Sequence, residues 1–242
     1  MNKIVVPYSE SSLGKKEQVE KMFDHIAPRY DFLNHFLSAG IDKRWRKKMV
    51  NMLQKSSPKI ILDVATGTAD VAIELTKLNP NSITGIDISR AMLDIGQKKI
   101  EEKKLNNLIV LQQADSENLP FEENKFDAIT VAYGVRNFEN LEKGLKEILR
   151  VLKPGGTFIV LEFSKPKTFP FKQIFKFYFR YFCPLAGKIF AKNKEAYTYL
   201  PDSVDAFPDG KNFLKILNEQ GFINTTCKPL TFGISTLYSA QK

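Results

Sequence analysis

The sequence predicts an α/β fold built on a doubly wound, mostly parallel seven-stranded sheet. Three observations carry this. From residue 59 onward, strand-like and helix-like segments alternate; the first strand runs through a small-residue turn, "DVATGTAD" at 63–70, into a helix; and two closing strand-like segments bring the strands to seven. Residues 1–58 lie outside the alternation and read as helical.

Taken in order, "KIILDVA" (59–65) is an apolar run of strand length, and "ADVAIELTKL" (69–78) has helical apolar spacing. "SITGIDI" (82–88) is the second strand. Ser89 follows it, with a hydroxyl able to accept the free N–H groups of the next helix's first turn. "LIVLQQ" (108–113) and "FDAITVAY" (126–133) are the third and fourth strands. The helix "ENLEKGLKEILRVL" (139–152) ends in a "KPGG" turn that leads to "TFIVLEF" (157–163), the fifth strand. An aromatic, basic insertion over about 165–206 precedes a helix near 210–220 and two strands around "FINTTCKPL" and "ISTLYSAQK". At the other end, "KKEQVEKMFDHIAPRYDFLNHFL" keeps apolar residues at Val19, Met22, Phe23 and Ile26, and resumes after Pro28. The expected division is a helical N-terminal cap over 1–58, forming part of a substrate site, and a catalytic domain over 59–242.

The net charge of +9 points to an anionic partner, nucleic acid or an acidic membrane surface. Its distribution says more than its sum: Lys165–Lys194 holds eight Lys/Arg, nine Phe/Tyr and no Asp or Glu, which leaves the remainder near neutral. A second basic knot is "KRWRKK" at 43–48. No apolar run approaches the roughly 20 residues of a spanning helix, and the N-terminal stretch lacks a secretory h-region. A cytoplasmic protein with reduced Cys183 and Cys227 is expected. These two are far apart and unaccompanied by His, so no metal site is expected.

In a doubly wound sheet the ligand lies beyond the carboxyl ends of the strands, where the strand order reverses. Gly67 in the 63–70 turn lets backbone N–H groups approach a ligand closely, and Asp87, 20 residues on at the end of the second strand, is placed to accept both hydroxyls of a ribose. The loop has one glycine rather than GxGxxG, and no GKS or GKT follows, so a cofactor with a ribose and no phosphate fits better than a dinucleotide. Asp115 and Ser116, in "ADSENLPF" (114–121), offer an acceptor and a small polar group where an adenine would lie.

"LDVATGTAD", "GIDIS", "ADSENLPF" and "LRVLKPGG" resemble, in order and spacing, the class I S-adenosylmethionine-dependent methyltransferases with their Rossmann-like fold. "YDFLNHFLSAGIDKRW" (30–45) and "RVLKPGGTFIVLEFSKP" (150–166) look like the two signatures of the quinone-biosynthesis C-methyltransferases. "FDHIAPRYD" and "YGVRNFENL" (133–141) also match, and the likeness runs from about Lys15 onward. The resemblance implies S-adenosyl-L-methionine as methyl donor and a polyprenylated hydroquinone as acceptor: demethylmenaquinol, or alternatively 2-methoxy-6-polyprenyl-benzoquinol. It implies cofactor contacts at Thr68, Asp87, Asp115 and Ser116, and at Ala132, where the family often has Ser or Thr. Ala69 replaces a common glycine, and Asp42 stands where the first signature often has His.

Methylating a ring carbon requires the adjacent phenol to give up its proton and push charge into the ring. "YGVRN", after the fourth strand, offers Arg136 to stabilise a phenolate and Asn137 to orient it, and Tyr30 and Asp31 are placed to close over the ring. His25 and His35 read as packing or capping residues. An RNA methyltransferase would share the fold and the charge, but no "NPPY"-type motif is present, so no nucleic-acid partner is expected; a non-catalytic membrane scaffold is disfavoured by the intact cofactor motifs. On a helical wheel over 171–183, ended by Pro184, Lys172, Lys176 and Arg180 share a narrow face with Gln173, and aromatic residues cover the rest. Such a helix suits either an anionic membrane surface, contacted through 171–194, or a lid on the catalytic domain. A homodimer stays open.

Overall fold

The computed structural model describes residues 5–182 and 194–242. Its seven strands are β1 Ile60–Val64, β2 Ser82–Asp87, β3 Ile109–Gln113, β4 Phe126–Ala132, β5 Leu152–Phe163, β6 Ile223–Leu230 and β7 Ser235–Gln241. They lie in the order β3-β2-β1-β4-β5-β7-β6. The first five are mutually parallel, and β7 runs antiparallel to both β5 and β6. The order reverses between β1 and β4, so the crevice at their carboxyl ends is where a ligand is expected.

Both faces of the sheet are covered, which is why its central strands carry consecutive apolar residues, such as Ile60, Ile61 and Leu62, rather than alternating ones. Leu62, Ile129, Phe158 and Val160 face one side, against Leu145 and Ile148 of α6 (Leu141–Val151) and Phe213 and Leu217 of α9 (Lys211–Glu219). Ile61, Ala128, Ile159 and Leu161 face the other, against Trp45, Met49 and Leu53 of α3 (Ile41–Leu53) and Ala72 and Leu75 of α4 (Asp70–Leu75). The basic knot at 43–48 is thus the outer face of a core helix: Lys43, Arg44, Lys47 and Lys48 are exposed while Trp45 is buried.

Before α3 come α1 (Lys15–Ile26), a 3-10 turn through Pro28 (Ala27–Arg29), and α2 (Tyr30–Leu37). Helix α5 (Arg90–Glu102) begins as expected, with Ser89 Oγ accepting from Met92 N at 3.2 Å. That hydroxyl also donates to Asp24 Oδ1 of α1 at 2.6 Å, tying the N-terminal helices to the sheet.

Three elements depart from expectation. The helix expected over 69–78 is α-helical only over Asp70–Leu75 and finishes as a 3-10 turn. The "KPGG" stretch lies inside β5: Leu152 pairs with Phe126 and Thr157 with Ala128, so the glycines bulge from a strand already begun, with Gly155 at φ +75°. The insertion helix is α only over Phe171–Phe177 (α7) and continues as a π turn over Tyr178–Phe182. Cys183 and Pro184 lie outside the described residues. The chain resumes in α8 (Lys194–Ala206).

Helix α7 is two-faced. Phe175 and Phe179, one turn apart, are buried against Val204, whereas Ile174, Phe177 and Tyr181 are more than half exposed, as are Phe169 and Phe232 nearby in sequence or packing. Lys172, Lys176 and Arg180 are also exposed. The wheel's broad aromatic face therefore divides into an inner and an outer half. Among the described residues, no helix is long and apolar enough to cross a membrane.

Candidate active site

The carboxyl ends of β1 and β4 are built from backbone that L-residues rarely adopt. Ala65, Gly67, Ala69 and Tyr133 have φ of +54°, +56°, +64° and +59°. Such clustering marks functional turns. Asp63 holds the first turn in place: it accepts from Thr66 Oγ1 and Thr130 Oγ1, both at 2.6 Å, and burial pushes its carboxyl up to about 6. The two turns touch. A Cβ on Gly134 would sit 2.6 Å from Ala65 Cβ, so only glycine fits there.

Asp87 closes β2 beneath this crossing. Its Oδ2 accepts Gly67 N at 2.8 Å and its Oδ1 accepts Ser89 N at 2.9 Å, while burial raises its pKa to about 6. Each carboxylate oxygen keeps a second lone pair. Gly67, Asp87, Asp115, Ser116 and Ala132 line one cavity together, with Tyr30 as part of its wall. Asp115 is paired with Lys16 of α1 at 2.8 Å, so α1 closes over this end of the cavity. Lys15 donates to the carbonyls of Arg136 (3.1 Å) and Phe138 (2.8 Å), and burial lowers its pKa to about 8. The residues fit an adenosine: carboxylate acceptors in buried Asp87 and half-buried Asp115, with the side-chain-free Gly67 turn beside Asp87.

Thr68 departs from the set. Its hydroxyl donates to Asp31 Oδ1 of α2 at 2.6 Å and accepts from Lys99 Nζ at 3.0 Å, and the residue lines a second, larger cavity instead. The sequence reading missed this because Asp31 is 37 positions away.

The second cavity has a volume of about 430 Å³, is bounded by α2, α3, α7 and α8, and is lined mostly by apolar and aromatic groups such as Phe163, Phe175 and Tyr178. It shares Tyr30, Gly67, Ala132 and Tyr133 with the first. The two therefore meet at the β1–β4 crossing, and a group held in one can reach a group held in the other.

Arg136 and Asn137 occupy a 3-10 turn after β4 (Val135–Asn137). Arg136 Nη1 donates to Glu162 Oε1 at 2.9 Å and to the Tyr133 carbonyl, and the guanidinium lies over the Phe163 ring. Glu162, near the end of β5, is fully buried, which raises its pKa against the pull of Arg136. Arg136 Nε, also buried, has no hydrogen-bond partner among the described residues. Asn137 Oδ1 accepts from the Tyr199 hydroxyl of α8 at 3.1 Å. Tyr30 is half-buried, and desolvation raises its phenol pKa. Sequence reasoning overlooked Glu162, although an acid inside the apolar run "TFIVLEF" is a signal in itself. Tyr199 gave no local signal.

The wall formed by α2 and α3 carries a chain of charges. Lys99 pairs with Asp31 and with Asp70 (2.8 Å); Arg46 bridges Asp70 (3.1 Å) and Asp42 (2.9 Å); and His35 Nδ1 lies 2.9 Å from Asp42 Oδ2. Burial raises the Asp42 pKa, but Ser38, Arg46 and His35 outweigh it and hold the carboxyl low. Asp42, which stands where the first signature often has His, is thus a buried hub. His35 packs onto it, and His25 is exposed.

This fold and site define an S-adenosylmethionine-dependent methyltransferase. The fold is similar to that of a Methanococcus maripaludis protein assigned to that class, with TM-score 0.63 and 21% identity over 97% of both chains. A SAM-dependent methyltransferase from Aquifex aeolicus shares it at TM-score 0.55, 17% identity and coverage of 75% of this chain and 81% of the other. Residues 12–242 match the ubiE/COQ5 methyltransferase family, and the chain belongs to that family. It is 48% identical to the demethylmenaquinone methyltransferase of Bacteroides fragilis, over 98% of this chain and 97% of the relative. It is 46% identical to the ubiquinone/menaquinone biosynthesis C-methyltransferase UbiE of Geotalea daltonii, over 94% and 97%.

Proposed function

We propose that the protein transfers the methyl group of S-adenosylmethionine to a ring carbon of demethylmenaquinol, giving menaquinol. The observation that carries the reading is the junction of a carboxylate-lined cavity with a long apolar one at Tyr30, Gly67, Ala132 and Tyr133. A volume of about 430 Å³ suits a bicyclic ring with the start of a prenyl chain. The names of the Bacteroides fragilis and Porphyromonas gingivalis relatives, 48% and 41% identical, agree. The Geotalea daltonii relative's name adds the benzoquinol as a second acceptor for the same site.

In this reading Asp87 receives the ribose hydroxyls, Asp115 and Ser116 face the adenine, and Gly67 and Ala132 give the donor room. Thr68 serves indirectly by tying the turn to Asp31. S-adenosylmethionine, when bound, supplies an electrophilic methyl on a sulfonium. The chain's own work is to make the ring carbon nucleophilic and to aim it. Arg136, held by Glu162, lines the larger cavity, and its guanidinium charge stabilises the phenolate there. Asn137 hydrogen-bonds the same oxygen, and Tyr30 closes the ring's far side. Loss of the ring proton after methyl transfer restores aromaticity.

A prenyl tail keeps such a substrate in the bilayer, so the protein must reach the membrane surface. The outer face of α7 supports peripheral docking on the anionic cytoplasmic leaflet: Phe177 (67% exposed) and Ile174 (59% exposed) accompany three exposed cations. The inner face, through Phe175 and Phe179, serves as the lid. The test is to incubate the protein with S-adenosylmethionine and each reduced demethylquinone and read methylated product by mass. No product with either quinol would defeat the proposal.

A further inference from the structure

The two polar side chains of the catalytic turn are braced from different parts of the molecule. Arg136 is held by Glu162, which belongs to the central sheet. Asn137 is held by Tyr199, which belongs to α8, the helix by which the chain returns from the insertion. Tyr199 is 3% exposed, lines the large cavity, and packs in one cluster with Val19, Met22, Ile26 and Leu33 of α1 and α2. One side chain therefore touches the insertion's return helix, the N-terminal helices and the catalytic turn.

We propose that Tyr199 is a positioning residue for methyl transfer: its hydroxyl fixes the Asn137 amide, so that the turn is organised only when α8 and the N-terminal helices are both seated over the site. The inference rests on the reading of Arg136 and Asn137 given above.

The reason is chemical. A primary amide presents an acceptor oxygen on one side and two donor hydrogens on the other, and rotating it by half a turn exchanges them at little cost. The phenolic O–H of Tyr199 donates to Asn137 Oδ1 at 3.1 Å, which assigns the oxygen to α8 and leaves the NH2 for other partners. Among the described residues, the NH2 has only a long contact of 3.4 Å with the Tyr133 carbonyl. One of its hydrogens is therefore available, from the smaller cavity that Asn137 lines, to a substrate oxygen that gains negative charge where that cavity meets the larger one lined by Arg136. Without the Tyr199 hydroxyl, the amide can turn its oxygen toward that charge and oppose it. Burial pushes the Tyr199 phenol up to about 12, so it stays a donor across the working pH range.

Helix α8 is joined in sequence to the segment whose outer face is assigned above to the membrane. Val204 of α8 packs on Phe175 and Phe179 of that segment's inner face, so seating the segment seats the helix that carries Tyr199, and Tyr199 sets Asn137. Docking and chemistry are coupled by one hydrogen bond, and methyl transfer is held back in a protein whose insertion is out of place.

Tyr199→Phe removes the hydroxyl and keeps the ring that packs on α1 and α2. Expected is a fall in kcat of about tenfold to a hundredfold, below the roughly hundredfold to thousandfold of losing a preorganised donor outright because Asn137 itself remains, with the quinol KM and the S-adenosylmethionine Kd within about twofold of wild type. In an Asn137→Ala background the same substitution should cost nothing further, because the two act as a unit. Wild-type kcat for Tyr199→Phe overturns the inference, and so do independent, multiplying losses in the double variant. A loss confined to Tm or cofactor affinity overturns it as well, since it reveals a packing role alone. A wild-type protein that methylates no quinol sinks the functional reading itself, and this inference with it.

Discussion

Arg136 and Glu162 meet at 2.9 Å with the carboxylate wholly withdrawn from solvent, and the arginine still has one buried N–H without a partner among the described residues. A buried ion pair need not add net stability, but removing one member leaves the other uncompensated. Glu162→Ala should therefore lower unfolding free energy by about 3–5 kcal/mol, read by urea denaturation. Arg136→Ala should reduce turnover while leaving cofactor affinity near wild type, since the guanidinium lines the large cavity and not the smaller one. Wild-type turnover in that variant would remove Arg136 from the mechanism.

Asp87 gives the site a pH dependence with two opposite signs. Its folded pKa of about 6 lies above the ordinary 3.8, so the native protein takes up a proton before the unfolded chain does. The stability linked to this group is fully present below the ordinary pKa and is lost as pH rises through about 6. Cofactor binding runs the other way, because ribose hydroxyls donate to the carboxylate. The Kd for S-adenosylmethionine should rise by up to about tenfold per pH unit below that point. Calorimetry at pH 7.5 and pH 5 checks it (about these two values), and Asp87→Asn should bind weakly with a flat profile across this range.

Gly134 is where the turns after β1 and β4 touch. An added Cβ at 2.6 Å from Ala65 Cβ cannot be relieved by a side-chain rotation, because the atom it meets is fixed to backbone. Gly134→Ala should cost about 1–3 kcal/mol in thermal unfolding and weaken cofactor binding by spreading the crossing. Unchanged values for both would mean the backbone yields freely there.

The outer face of α7 separates charge from grease. Replacing Lys172, Lys176 and Arg180 with Glu should abolish sedimentation with anionic liposomes and leave cofactor affinity intact. Ile174→Ser with Phe177→Ser should weaken liposome binding at high salt as well as low, because apolar insertion is not screened. Liposome binding that survives all five changes would reduce α7 to its inner face.

Much of the fold could be read from the chain because a sheet covered on both sides demands apolar runs, and "KIILDVA" and "FDAITVAY" are such runs. The "KPGG" stretch was misplaced because glycines report a change of direction, not whether the strand had already begun at Leu152. In the site, Gly67, Asp87, Asp115 and Ser116 were legible because strand ends fix where they fall. The contacts of Thr68 with Asp31 and of Asn137 with Tyr199 were not, since the partners lie 37 and 62 positions apart and only packing brings them together. Asp42 looked like a neutral departure until His35, Arg46 and Ser38 were found around it.

Strand β7 lies between β5 and β6 although it follows both in the chain. Thr236 of β7 is the cross-strand neighbour of Glu162, and Ser235 Oγ donates to the Glu162 carbonyl while sitting 3.2 Å from the Tyr133 hydroxyl. A chain emerging from the ribosome thus has every residue of its cofactor crevice before it has the strand that walls in Glu162. Until residues 235–241 are translated and threaded into place, the acid beneath Arg136 faces water. The enzyme's ability to bind its methyl donor can precede, during synthesis, its ability to spend it.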